Sequence, residues 1–237
     1  MTHGQPSRPS NVENIILINQ GKKPLALALP APRALTVSEA QAQATGGAAY
    51  LDTRSSREFG AAHIPSAYNV QLTSSQFEQR VGWVIPGETP LILILADDAQ
   101  ASATLHKLAY IGLETRVTGT LAGGMDAWLA AGLPTARVAQ QRVAELNDLP
   151  NLTVLDVREG DEWDAGHIAG ARHLSYKHLD ARLAELALDP AAPLAIICAS
   201  GQRSSTAASL LLRRGFTDVR NVVGGMDAWK AAGFDFV

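Results

Sequence analysis

YLDTRSSREFGAAHIPSA, residues 50–67, and VLDVREGDEWDAGHIAGA, residues 154–171, are two versions of one phrase within a chain of 237 residues. Asp52, Arg54, Glu58 and His63 of the first return as Asp156, Arg158, Glu162 and His167 of the second, each 104 positions on. A further pair, AGGMDAWLAAG (122–132) and VGGMDAWKAAG (223–233), follows in the same order at an offset of 101. Two matches in one order at nearly equal offset mean two copies of a single domain. The expected division is an N-terminal extension over 1–34, a first domain over 35–136 and a second over 137–237.

The second copy sets the fold class. NLTVLDV (151–157) and PLAIIC (193–198) are β-branched and apolar runs of strand length, and LDARLAEL (179–186) has leucines at helical spacing. A helix is expected over 204–214 and a strand over 218–223, and GGMDAWKAAG opens and closes a last helix with glycine. Strands alternating with helices predict an α/β domain, a mainly parallel central sheet flanked by helices. Such sheets place their sites at the carboxyl ends of strands.

The single cysteine of the chain, Cys198, stands at one of those ends, followed by Ala199, Ser200, Gly201, Gln202, Arg203 and Ser204. The next helix presents unpaired amides and a partial positive charge to this loop. Gly201 permits a tight turn that aims further amides at one point, and Arg203 adds a cation. These are surroundings suited to a thiolate. A cysteine that only packs needs none of them.

The segments LDVREGDEWDAGHIAGA, CASGQRS and NVVGGMDAW, in this order and at domain spacing, resemble the rhodanese family of sulfurtransferases, and the resemblance spans both repeats. It implies catalysis by Cys198, which takes a sulfane sulfur from thiosulfate or a low-molecular-weight persulfide, holds it as a persulfide and passes it to a thiol or cyanide. Ala199, Ser200, Gly201, Gln202, Arg203 and Ser204 are then the substrate-binding loop, with Arg203 orienting an anionic donor. No metal or cofactor is implied. Similar folds in cell-cycle phosphatases and arsenate reductases separate cysteine and arginine by five residues, whereas four lie between Cys198 and Arg203 here. Ala199 departs from the charged or bulky residue of many rhodaneses, which leaves the donor open. The rival reading is a non-catalytic scaffold for a sulfur-metabolising partner.

Asp156, Arg158 and Glu162 read as a charge cluster tying a strand end to the next turn, and His167 as a structural hydrogen-bonding residue. Trp128 and Trp229 read as core aromatics. In the first copy Leu95 falls opposite Cys198, and the loop ADDAQA (96–101) replaces glycine and arginine with Asp98 and Gln100. Carboxylates oppose an anion site, so the first domain is expected to be catalytically inactive.

At the N-terminus, RPSNVENIILINQGKKP (8–24) resembles the connecting segment of bacterial proteins that join a rhodanese pair to a metallo-β-lactamase-fold persulfide dioxygenase domain. That implies such a domain as partner, since no His-x-His-x-Asp-His signature occurs here. GKKPLALALPAPRA (21–34) has the elements of a signal peptide but is broken by prolines and reads as linker or edge strand. With a formal charge of −3 and no basic block, a nucleic-acid partner is not expected. No apolar run reaches membrane-spanning length, and a cytoplasmic protein is expected.

Overall fold

The runs LILI (91–94) and LAII (194–197) are buried at every position. A strand buried on both faces belongs inside a parallel sheet with helices on each side. The computed structural model, which describes residues 12–24, 29–149 and 151–237, places each run at the centre of its own sheet. The first sheet comprises β1 (Ala34–Leu35), β2 (Ala49–Asp52), β3 (Tyr68–Asn69), β4 (Leu91–Ile94) and β5 (Val117–Leu121). The second comprises β6 (Ala139–Gln141), β7 (Thr153–Asp156), β8 (Arg172–His173), β9 (Leu194–Ile197) and β10 (Val219–Val222). Their orders, β1-β5-β4-β2-β3 and β6-β10-β9-β7-β8, are the same permutation, and every pairing is parallel.

Register fixes the equivalence of the copies. Asp52 pairs with Ile94 and Asp156 with Ile197, so Leu95 and Cys198 leave their sheets at the same point. The phrase that ends at histidine is also used twice in one way. His63 exchanges backbone hydrogen bonds with Ala136, and His167 does so with Val237, so the tail of each copy closes on its own histidine. Trp128 and Trp229 are buried and donate through Nε1 to Pro134 O and Asp235 O, both at 2.9 Å.

LDARLAEL departs from expectation: only Leu179–Arg182 is α-helical and Leu183–Leu186 is a 3-10 turn. Of its three leucines only Leu179 is buried, and so short a helix lacks the packing that would hold it. The helix after Cys198 begins earlier than expected and spans Gln202–Arg213. It lies between the two domains, with Ser204 to Leu211 all buried, and its small residues allow close approach to the first domain. Ser205 Oγ donates to Asn69 Oδ1 at 2.6 Å, Asn69 N donates to Ser209 Oγ at 3.1 Å, and Arg213 lies 4.1 Å over the Tyr68 ring.

Of the two N-terminal segments singled out by sequence, residues 8–11 and 25–28 lie outside the described residues. Between them, Val12–Asn19 is a helix fastened to the first domain by Asn14 Nδ2, which donates to Gly112 O at 3.2 Å. Among the described residues no helix is long and apolar enough to cross a membrane.

Candidate active site

The site is assembled at the carboxyl end of β9. Cys198 is 1% exposed, and its Sγ accepts the Gly201 amide at 3.1 Å and lies 3.4 Å from Ser204 Oγ. Gly201 reaches this position with φ +92°, a conformation open to glycine, and caps the helix that follows. The amides of Gln202, Arg203 and Ser204 form the first turn of that helix and have no helical acceptor. Ser204 is buried and donates to Asn221 Oδ1 at 2.6 Å, and Asn221 Nδ2 donates to Gln140 Oε1 at 3.0 Å. The wall beneath the sulfur is therefore a fully bonded polar chain across β10 and β6.

Two further contacts hold the loop. The helix Gly225–Ala231 abuts it, with Met226 N donating to Cys198 O at 2.8 Å and Asp227 N to Ala199 O at 3.0 Å. A Cβ on Gly225 would stand 2.2 Å from Cys198 O, which explains why GGMDAW accompanies the loop. From the other side, both Nη atoms of Arg203 grip Glu162 at 2.5 and 2.6 Å. The Arg203 hydrogen bonds hold the Glu162 carboxyl below its ordinary range. Thus the fork of Arg203 ties the loop to the short helix Gly160–Asp164.

The remaining residues singled out by sequence are distributed as follows. Ala199 is half-buried, Ser200 exposed, and Gln202 half-buried at the edge of the first domain. Arg158 is forked onto Asp156, with its Nη2 2.6 Å from Oδ2, and donates a further bond to Gly166 O at 2.9 Å. Glu162 stands apart from that pair and serves the loop instead. His167 has Nδ1 3.1 Å from Trp163 O and its ring is stacked on Trp163 at 3.4 Å, in a local arrangement that holds its own turn.

Sequence reasoning missed two side chains beside the loop. Tyr176 is buried in the turn after β8, and burial pushes its phenol up to about 12. Arg80 comes from the first domain, on the helix Phe77–Val84, and its Nη1 donates to Gln202 Oε1 at 3.4 Å. Phe77, Arg80, Val81 and Val84 share the buried face of that helix. An arginine at an apolar position of the helical repeat was the available signal.

The first copy builds a different end to β4. Asp97 Oδ1 accepts Ala99 N at 2.9 Å, Asp98 Oδ2 accepts Gly123 N at 3.2 Å, and a 3-10 turn over Asp98–Gln100 precedes the helix Ala101–Ala109. Arg54, Glu58, Asp97, Asp98 and Asp126 line a cavity of ≈ 400 Å³ above buried Leu95.

Comparison with known proteins agrees with this duplicated architecture. The rhodanese-like domain model matches residues 36–131 and again 139–232. A thiosulfate sulfurtransferase GlpE of Pseudomonas putida is 36% identical over 95 residues, covering 40% of this chain and 84% of that protein. GlpE of Pseudoalteromonas translucida is 38% identical over 88 residues, 37% of this chain and 82% of that protein. A rhodanese-related protein of Thermoplasma volcanium, known as a crystal structure, is 31% identical and covers 42% of this chain and 97% of that one, with a TM-score of 0.39. With the model matched twice and most of the chain accounted for, this protein belongs to the rhodanese-like domain family and carries that domain in two copies.

Proposed function

We propose that the chain is a sulfurtransferase in which Cys198 of the second domain carries the sulfur and the first domain is catalytically silent. The observation that carries this reading is the Gly201 amide directed at Sγ within a loop fixed on both flanks, by Glu162 through Arg203 and by the helix beginning at Gly225. Amides held in advance stabilise negative sulfur without rearrangement during reaction. The Cys198 thiolate attacks the outer sulfur of a donor such as thiosulfate. The donor S–S bond breaks, sulfite leaves with the bonding electrons, and Cys198 becomes a persulfide anion. A thiol or cyanide acceptor then attacks the outer sulfur and restores the thiolate. First-turn amides of Gln202, Arg203 and Ser204 are available to the persulfide as the sulfur extends beyond the bond to Gly201.

The likeness to thiosulfate sulfurtransferases supports thiosulfate as the donor to try first. The partners are then small sulfur compounds. Mass spectrometry of the intact protein after incubation with thiosulfate tests the reading. One added sulfur, about 32 Da, is expected on the peptide containing Cys198. Cys198→Ser should gain nothing and keep its fold, because a serine hydroxyl cannot form a persulfide. No gain with thiosulfate or glutathione persulfide would favour the scaffold reading.

A further inference from the structure

Among the described residues two buried arginines, Arg80 and Arg116, have no carboxylate partner and carry a buried nitrogen without an acceptor. Arg54 and Arg158 are forked onto Asp52 and Asp156. Arg116 donates to the carbonyls of Thr89 and Pro86 at 2.9 and 3.3 Å. Arg80 is only 8% exposed, yet among the described residues it has no carboxylate in salt-bridge distance and its buried Nε has no acceptor. Its polar neighbours are neutral: Gln202 Oε1 of the cysteine loop, at 3.4 Å, and the Tyr176 hydroxyl. A guanidinium removed from water without an anion is unfavourable, and the planar fork of arginine suits oxoanions.

The place of Arg80 beside the cysteine loop gives this cation a use. Helix Phe77–Val84 packs against the turn Tyr176–His178, and that turn also packs against the helix Gln202–Arg213 that follows Cys198. Burial lowers the Arg80 pKa, and Tyr176 and Cys198 oppose that shift, so the guanidinium lies within electrostatic reach of the sulfur. Tyr176, neutral at working pH, offers a hydroxyl on the same side. Arg203 cannot serve as freely, because both its Nη atoms are on Glu162.

We propose that Arg80 of the silent domain binds the anionic end of the sulfur donor, an oxoanion such as the sulfonate of thiosulfate, while the sulfane sulfur faces Cys198. The active site is then shared between the copies: the second supplies the sulfur carrier and its amides, the first supplies the cation. This inference rests on the reading of Cys198 as the sulfur-carrying residue, and it gives the first domain a function that its own loop lacks.

Two measurements on the full chain test it, using wild type, R80M and R80K. The first is thiosulfate:cyanide sulfur transfer. R80M should raise the thiosulfate KM about tenfold or more, as expected for loss of a charge-assisted hydrogen bond, with kcat changed less, and R80K should recover most of it. The second is the rate of Cys198 alkylation by iodoacetate relative to neutral iodoacetamide. That ratio should fall about fivefold or more in R80M and return in R80K, since only the anionic reagent uses the cation. Unchanged KM and ratio in R80M, with transfer intact in wild type, overturn the role of Arg80 and leave the sulfurtransferase reading standing. A ratio that falls while wild type transfers no sulfur preserves the anion site and overturns that reading. Equal losses in R80M and R80K, with the ratio unmoved, would show that Arg80 only holds the domains together.

Discussion

The loops after β4 and β9 leave equivalent points of equivalent sheets and treat their amides in opposite ways. After β9 an amide is directed at Cys198 Sγ, with Gly201 in a left-handed conformation. After β4 two side chains turn inward: Asp97 takes the amide of Ala99 and Asp98 that of Gly123. Both copies keep their Asp–Arg fork and their tryptophan anchored to a backbone carbonyl. Duplication has therefore preserved what builds the sheet, and the two loops differ in the few residues that decide where their amides point. The first loop therefore differs by more than a missing cysteine, because Asp97 already takes its Ala99 amide.

Glycines at matching places give the sharpest test of that contrast. Gly225 has φ +56° and a Cβ there would lie 2.2 Å from Cys198 O and 2.4 Å from Ala199 O. Gly124 has φ +51°, and its Cβ would meet only Leu95 O, at 2.9 Å. Left-handed backbone penalises alanine at both sites by about 1–2 kcal/mol, so any further difference comes from the loop. Displacing a reacting group by about 1 Å can cost a hundredfold in rate. Gly225→Ala should lower sulfur transfer by about that factor, and Gly124→Ala by no more than about threefold. Equal losses in a kinetic assay would erase the distinction between the two loops.

Glu162 and Glu58 are the next pair. Glu58 accepts the Ser55 amide at 3.0 Å and serves its own helix, while Glu162 reaches Arg203, 41 residues on. Glu162→Gln should slow transfer by about tenfold, through loss of a charge-assisted fork that positions the loop, and Glu58→Gln should leave it unchanged. The pH dependence follows from the lowered Glu162 pKa. A carboxyl held below its unfolded value of about 4.3 stabilises the fold above that pH, and this contribution disappears as pH falls through the folded value. The pair is partly exposed, 13% and 32%, so the loss is put at about 1 kcal/mol, or about 2–4 °C in Tm. Melting curves of wild type and Glu162→Gln should differ by that amount near pH 7 and converge as acid protonates Glu162 in the folded protein. A gap that persists into acid would mean that packing, and not charge, joins Glu162 to the loop.

How far the sequence could be read follows from the range of each signal. Short apolar runs such as LILI and LAII, bounded by turn residues, read as buried strands and lie at the centres of their sheets, and a repeated phrase locates equivalent residues without any structure. Cys198 and its loop are contiguous, so the candidate site stands out as a string. Its support does not. Glu162 resembled a member of the Asp156–Arg158 cluster because it lies beside them in sequence, and only the fold turns it toward Arg203. Asn221 stands in the strand VRNV, where nothing local announces that it accepts the Ser204 hydroxyl. Arg80 lies 122 positions from Gln202 and in the other copy, whereas the repeat reading expects the site wholly within the second domain. LDARLAEL misled because leucine spacing reports periodicity but not whether a surface exists to cover it.

The smallest expected effect is none at all. Leu95→Cys in a Cys198→Ser background should restore no thiosulfate turnover, although Leu95 is buried at the matching strand end and differs from Cys198 chiefly in its side chain. Asp98 occupies the place of Gly201 and is absent from the positive-φ residues, so the turn that aims an amide at Sγ cannot form. Nearby carboxylates disfavour the thiolate and repel thiosulfate. Gln100, opposite Arg203, brings no cation to offset them. Replacing Asp97 and Asp98 in the same background should not suffice either, since the first loop would still lack a fork to its helix. Single-turnover assays with thiosulfate, sensitive to about one thousandth of the wild-type rate, are the appropriate measurement, because Cys198→Ser alone sets the baseline. Turnover above that baseline in the double variant would show that strand position alone makes the site, and the amide argument for both loops would fall.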